Sequence, residues 1–173
     1  MTDHNDPILK QTHYVDRTGW PKGPWDNEPD RIEWRDEATK LPCLIVRQGS
    51  GGHLCGYVGV PPGHIAHGKK YDEVDFDDEE YYGPHGGLTY AKACVGRVCH
   101  IPQPGEPDTV WWLGFDMAHS GDSKPGDARY GDMRMDRIAE GYKTVEYVRA
   151  ECTKMAAMLI AKPALRKSWK AED

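Results

Sequence analysis

The sequence predicts an α+β fold: an antiparallel meander of short strands with one long C-terminal helix packed on it, rich in loops. Three observations carry that expectation. Short apolar or alternating runs recur between turns, and the 19 Gly and 13 Pro of the 173 residues punctuate them. From Ile138 the apolar spacing changes to the period of a helix. At this length the chain forms one core, which predicts a single domain over 31–162, preceded by an irregular arm at 1–30 and followed by a basic tail at 163–173.

The arm carries Trp20-Pro21-Lys22-Gly23-Pro24-Trp25 among polar residues and has neither a strand nor a helix period. Ile32-Glu33-Trp34-Arg35 alternates and reads as a strand. Asp36 to Lys40 is a turn, and Pro42-Cys43-Leu44-Ile45-Val46-Arg47 is a strand buried on both faces. The turn Gln48 to Gly52 leads into a third strand, His53 to Val60, so that short connections make the three a meander. After Pro61-Pro62-Gly63 the chain turns polar, with His64 and His67 between glycines and an acidic run from Asp72 to Glu80 that reads as a solvated loop. Further strands are expected at Gly86–Tyr90, Val98–Ile101 and Thr109–Phe115. In the helix Ile138, Tyr142, Val145, Val148, Cys152, Met155, Ala156 and Leu159 share one face; Gly141 weakens its first turn and Pro163 ends it.

The formal charge of −6 argues against duplex nucleic acid as a partner, because phosphate binding requires a basic stripe. No apolar run is long enough to span a bilayer, and Met1–Lys10 lacks the pattern of an export signal, so the chain is expected in the cytosol of a host cell. Five cysteines, an odd number, are then expected as reduced thiols. Cys94 and Cys99 enclose four residues and have no second pair, which is a weak zinc signal.

The chemistry concentrates where the apolar run Trp111-Trp112-Leu113-Gly114-Phe115 stops in Asp116-Met117-Ala118-His119-Ser120-Gly121-Asp122. Asp116, His119 and Asp122 at a strand end would make ordinary turns with their own backbone, or would form a site. The abrupt change of polarity favours the site, since such groups cost desolvation unless something engages them. His85, before Gly86-Gly87, is the natural fourth member. His85, Asp116 and His119 offer mixed nitrogen and oxygen ligands for a divalent zinc, manganese or iron, with His119 and Asp122 as the catalytic residues, Asp122 being either a fourth ligand or a general base. Trp111 and Trp112 must face opposite sides of their strand. The outward ring, with Tyr81, Tyr82 or Tyr90, would give a stacking platform for a planar ligand.

Leu54-Cys55-Gly56-Tyr57-Val58-Gly59-Val60-Pro61, His85-Gly86-Gly87-Leu88-Thr89-Tyr90 and Trp111-Trp112-Leu113-Gly114-Phe115-Asp116-x-Ala118-His119-x-Gly121-Asp122 together resemble a family of small proteins encoded by bacteriophages and prophages. The resemblance runs from about Glu33 to Leu159. It assigns no activity; it implies a viral origin, and with it roles in host takeover, counter-defence or nucleotide metabolism.

Three functions follow as expectations. The first is a metal-assisted hydrolase of a phosphoester or nucleotide-like substrate. The second is a protein that sequesters a nucleotide signal without chemistry, and the third a protein inhibitor of a host enzyme, with the acidic segment Asp72 to Glu80 mimicking a polyanion. A two-fold homodimer is the commonest state for a small protein of this kind.

Overall fold

The computed structural model describes residues 10–130 and 135–167. The fold is α+β. Six antiparallel strands form the main sheet in the order β1-β2-β3-β4-β7-β6. They are β1 (Lys10–Thr12), β2 (Arg31–Arg35), β3 (Pro42–Arg47), β4 (Leu54–Val60), β6 (Tyr90–Ala93) and β7 (Trp111–Asp116). A separate ribbon pairs β5 (Val74–Phe76) with β8 (Pro163–Leu165). Two helices, α1 (Met135–Gly141) and α2 (Val145–Ala161), lie between β7 and β8 in the chain.

Central β3 and β4 are buried along their whole lengths, which explains why their sequences are continuous apolar runs. Pleating sends Ile45, Leu54, Val58, Leu113 and Phe115 into the larger core, against Val148, Cys152, Met155 and Leu159 of α2. Gly56 permits the close approach of the helix, because a Cβ there would lie 2.9 Å from Cys152 Sγ and 2.4 Å from the Phe115 ring. Leu44, Val46, Cys55, Tyr57 and Trp112 point the other way, where Val98, Val110 and Tyr14 cover them.

The expected long C-terminal helix is α2, and the turns before it, which Gly141 weakens, stand apart as α1. Gly141 closes α1, and Thr144 begins α2 by accepting the Tyr147 amide on its side chain. Pro163 ends the helix as expected, but the residues after it are not all a solvated tail: Pro163–Leu165 pair with Val74–Phe76. The acidic segment is likewise not simply a solvated loop, since it contains β5, whose Val74 and Phe76 are buried. Part of the N-terminal arm adds β1 to the sheet and buries Trp25 at 1% exposure. Positions 1–9 and 168–173 of the arm and tail lie outside the described residues. Around Gly86 the chain turns and pairs only from Tyr90, while Val98–Ile101 contributes a lone Val95–Val98 bridge. That bridge sits in a loop closed by a Cys94–Cys99 disulfide, so these two cysteines are not reduced thiols; Cys43, Cys55 and Cys152 are free and buried. Among the described residues no helix is long and apolar enough to cross a membrane.

Candidate active site

The site forms at the end of the sheet where β4 begins and β7 ends. Antiparallel register places Cys55 opposite Asp116, and the Met117 amide donates to Leu54 O at 3.0 Å, so the loop after β7 leaves beside His53. Asp116 starts that loop by accepting the Ala118 amide on Oδ1 at 3.0 Å and the Thr89 hydroxyl on Oδ2 at 2.8 Å. Asp122 closes it, taking the His119 amide on Oδ2 at 3.0 Å while its own amide donates to His119 O.

His85 arrives from the turn preceding β6. Gly87 N donates to Pro84 O at 2.7 Å, and both glycines have positive φ, 69° at Gly86 and 82° at Gly87. Only glycine fits at Gly86 without displacement, because a Cβ would come within 2.2 Å of His119 Nε2. The turn is tied to α2 by the His85 amide, which donates to Glu151 Oε2 at 3.0 Å.

Both nitrogens of His85 are engaged. Nε2 lies 2.8 Å from Asp122 Oδ2, and Nδ1 lies 2.9 Å from the Tyr147 hydroxyl. A carboxylate only accepts, so in the neutral ring Nε2 carries the proton and Nδ1 accepts from Tyr147. Asp122 is almost fully buried, its side chain 3% exposed, with Lys143 Nζ 3.7 Å from Oδ1. Burial raises the Tyr147 phenol above its ordinary value, and the charges of Glu151 and Asp122 raise it further, so it is held as a proton donor.

The four residues expected to form a site thus meet, but in two groups. His119 stands beside the chain and not in it: its ring is 5.8 Å from that of His85, its Nε2 is 3.5 Å from Asp116 Oδ1, and that buried nitrogen has no hydrogen-bond partner among the described residues. Its contribution to the His85 chain is its backbone amide. Among the described residues no group of three His, Cys, Asp or Glu side chains is arranged to hold a metal ion. For His85, Asp116 and His119 to bind zinc, manganese or iron, His85 would have to release either Asp122 or Tyr147.

The aromatic residues expected to stack on a ligand are scattered. Trp112 is fully buried in the smaller core, and Trp111 donates its indole N–H to Lys69 O at 3.0 Å. Tyr90 packs edge-on against Tyr57. Tyr82, 84% exposed, is the one free to meet a ligand. His64 and His67 are bound to carbonyls, of Leu159 and Thr109 respectively, away from the site.

Sequence reasoning missed Lys143, Tyr147 and Glu151. Tyr147 and Glu151, four apart on the flank of the apolar stripe of α2, leave only that spacing as a trace, and Lys143 precedes the helix. His53 was read only as the start of a strand; burial lowers its imidazole, with Lys124 adding to the effect against the carboxylates of Asp116, Asp127 and Asp122. No protein-family model, curated protein or solved structure matches the chain.

Proposed function

We propose that the protein is a hydrolase of a phosphoester or nucleotide-like substrate that works by acid–base catalysis at His85. The observation supporting this reading is the placement of His85 between Asp122 and Tyr147 at hydrogen-bond distance on both nitrogens. Asp122 fixes the tautomer and stabilises the imidazolium that forms, as the carboxylate of a catalytic triad does. Tyr147 passes its proton to Nδ1 while taking one from a water molecule. The resulting hydroxide attacks phosphorus, the leaving oxygen departs on the opposite side and takes a proton from water, and the imidazolium returns its proton through Tyr147 to solvent. Lys143, beside Asp122, supplies a cation for the charge that develops on the phosphoryl oxygens. The reaction suits the counter-defence or nucleotide-metabolism role that the viral resemblance implies.

No step in this scheme passes through a metal: both nitrogens of His85 are hydrogen-bonded, to Asp122 and to Tyr147, and Asp116 accepts from Thr89 and Ala118. The test is turnover of aryl phosphate esters and of linear and cyclic nucleotides by the wild type, His85→Gln, Asp122→Asn and Tyr147→Phe. His85→Gln should lower kcat/KM by roughly 100- to 10,000-fold with circular dichroism unchanged. Full turnover in that variant would refute the proposal. Loss of turnover to a chelator, restored by zinc or manganese, would transfer the assignment to the metal-assisted reaction.

A further inference from the structure

Directly behind the Gly86-Gly87 turn lies a cavity of about 270 Å³ between that turn, the β5-β8 ribbon and the segment around Tyr82. Its surface is more polar than apolar; Val74 and Phe76, buried at 4% and 7% exposure, lie beneath it with Leu88. Two tyrosines stand at its edge with unusual exposure for aromatic rings, Tyr71 at 48% and Tyr82 at 84%. Arg166 and Asp72 are the charged residues in its wall. The lining contains Gly86 and Gly87, the two residues that follow His85 in the chain.

We propose that this cavity binds the nucleoside end of a mononucleotide, which narrows the substrate class of the hydrolase suggested above and rests on that reading. Each part of the wall matches one part of such a ligand. The exposed phenol rings of Tyr71 and Tyr82 take a planar base by stacking, which is tolerant of base identity. Asp72 accepts from the base or ribose donors, and the Arg166 guanidinium forks onto a phosphate. The volume of about 270 Å³ is just below the usual range for small-molecule sites, roughly 300–1,000 Å³, which favours a single nucleoside unit over a dinucleotide. The β5-β8 pairing is what builds the wall: Val74 lies opposite Leu165, and the Arg166 amide donates to Glu73 O at 2.8 Å, so the short ribbon carries the cation to the cavity.

The experiment is calorimetric titration of the full chain with AMP, GMP, CMP and UMP, and with the matching nucleosides, in the wild type, Tyr82→Ala, Arg166→Gln and His85→Gln. Tyr82 and Arg166 are exposed, so their replacement spares the core. At least one nucleotide should bind. Tyr82→Ala should weaken the nucleotide and its nucleoside alike by roughly tenfold, and Arg166→Gln should weaken the nucleotide by roughly tenfold while leaving the nucleoside unchanged. His85→Gln should bind both as the wild type does. Absence of millimolar binding by any of the four nucleotides, or binding indifferent to both Tyr82→Ala and Arg166→Gln, overturns the inference whatever the turnover assays give. Binding with these sensitivities but turnover intact in His85→Gln sustains the cavity assignment and removes the acid–base reading.

Discussion

Replacing Arg47 with Met should destabilise the protein by about 3 kcal/mol, the lower end of the cost of breaking a buried ion pair. Arg47 ends β3 with its side chain 0% exposed, and every donor of the guanidinium is used. Nε donates to Asp30 Oδ1 at 2.8 Å, Nη1 to Gly52 O at 2.8 Å and to the Tyr142 hydroxyl at 2.7 Å, and Nη2 to Glu28 and Pro29 O. Methionine retains much of the apolar stem, so the loss is that of charge and hydrogen bonds rather than volume. What keeps the cost low in the range is the support each anion retains. Asp30 still accepts from Arg17 at 2.6 Å and from the amides of Tyr14 and Val15, and Glu28 still accepts from Tyr142 at 2.6 Å. For a chain of this size a loss of about 3 kcal/mol lowers Tm by roughly 6–12 °C. Thermal and urea unfolding followed by circular dichroism measure it, and Arg47→Met combined with Asp30→Asn should cost less than the sum of the two single changes. A Tm within about 2 °C of the wild type would refute the view that this cluster bears stability.

Other outcomes follow from the same structure. His53 is held neutral by burial, so its contribution to stability is complete above the ordinary histidine value of about 6.5 and is lost as pH falls below it, where the unfolded chain takes up the proton first. Urea midpoints at pH 7.5 and 5.5 should therefore differ less in His53→Gln than in the wild type; an equal difference would count against it. Burial pushes the Cys55 thiol up to about 11 and raises those of Cys43 and Cys152 as well. The native protein should thus resist maleimide and take up three equivalents only when denatured without reductant, read by mass spectrometry. Gly86→Ala must place a Cβ 2.2 Å from His119 Nε2 at a φ of 69°, and should cost about 1–2 kcal/mol in urea unfolding together with part of the turnover. Wild-type values for both would show that the turn is not held against His119.

The strands that were legible in the sequence are those whose burial on both faces demands continuous apolar side chains, β3 and β4 above all. The three-residue β1, β5 and β8 are too short to display a period, and β8 begins at a proline that signals only the end of a helix. Arg47 stands at the end of an apolar run, where a charge ordinarily marks the surface; its burial depends on Glu28 and Asp30, 19 and 17 residues away, which no local pattern connects to it. The helix break needed the Thr144 cap as well as Gly141, because the apolar face continues across both helices in Ile138, Tyr142 and Val148. In the site, His85, Asp116, His119 and Asp122 were readable because polar groups at strand ends stand out against apolar runs. Tyr147 was not, since on a helix flank it is indistinguishable from any half-exposed tyrosine.

The distance from His85 to Asp122 is set by strand register rather than by either loop alone. Tyr90 pairs with Gly114 and the Thr89 amide donates to Gly114 O at 2.9 Å, so the turn carrying His85 must return past the end of β7, where the Asp122 loop begins. A slip of one residue between β6 and β7 would point Thr89 away from Asp116 and remove its 2.8 Å hydrogen bond, which gives the site a local check on register. The third partner, Tyr147, depends on a different anchor. Glu28 accepts the Val145 amide at 2.5 Å and the Tyr142 hydroxyl at 2.6 Å, fixing the start of α2 against the N-terminal arm. Arg47 is bound to both residues of that contact. The buried charges are therefore connected to the chemistry through the first turn of α2, and Arg47→Met should loosen the Tyr147 side of His85 while leaving the Asp122 side, held by the sheet, in place.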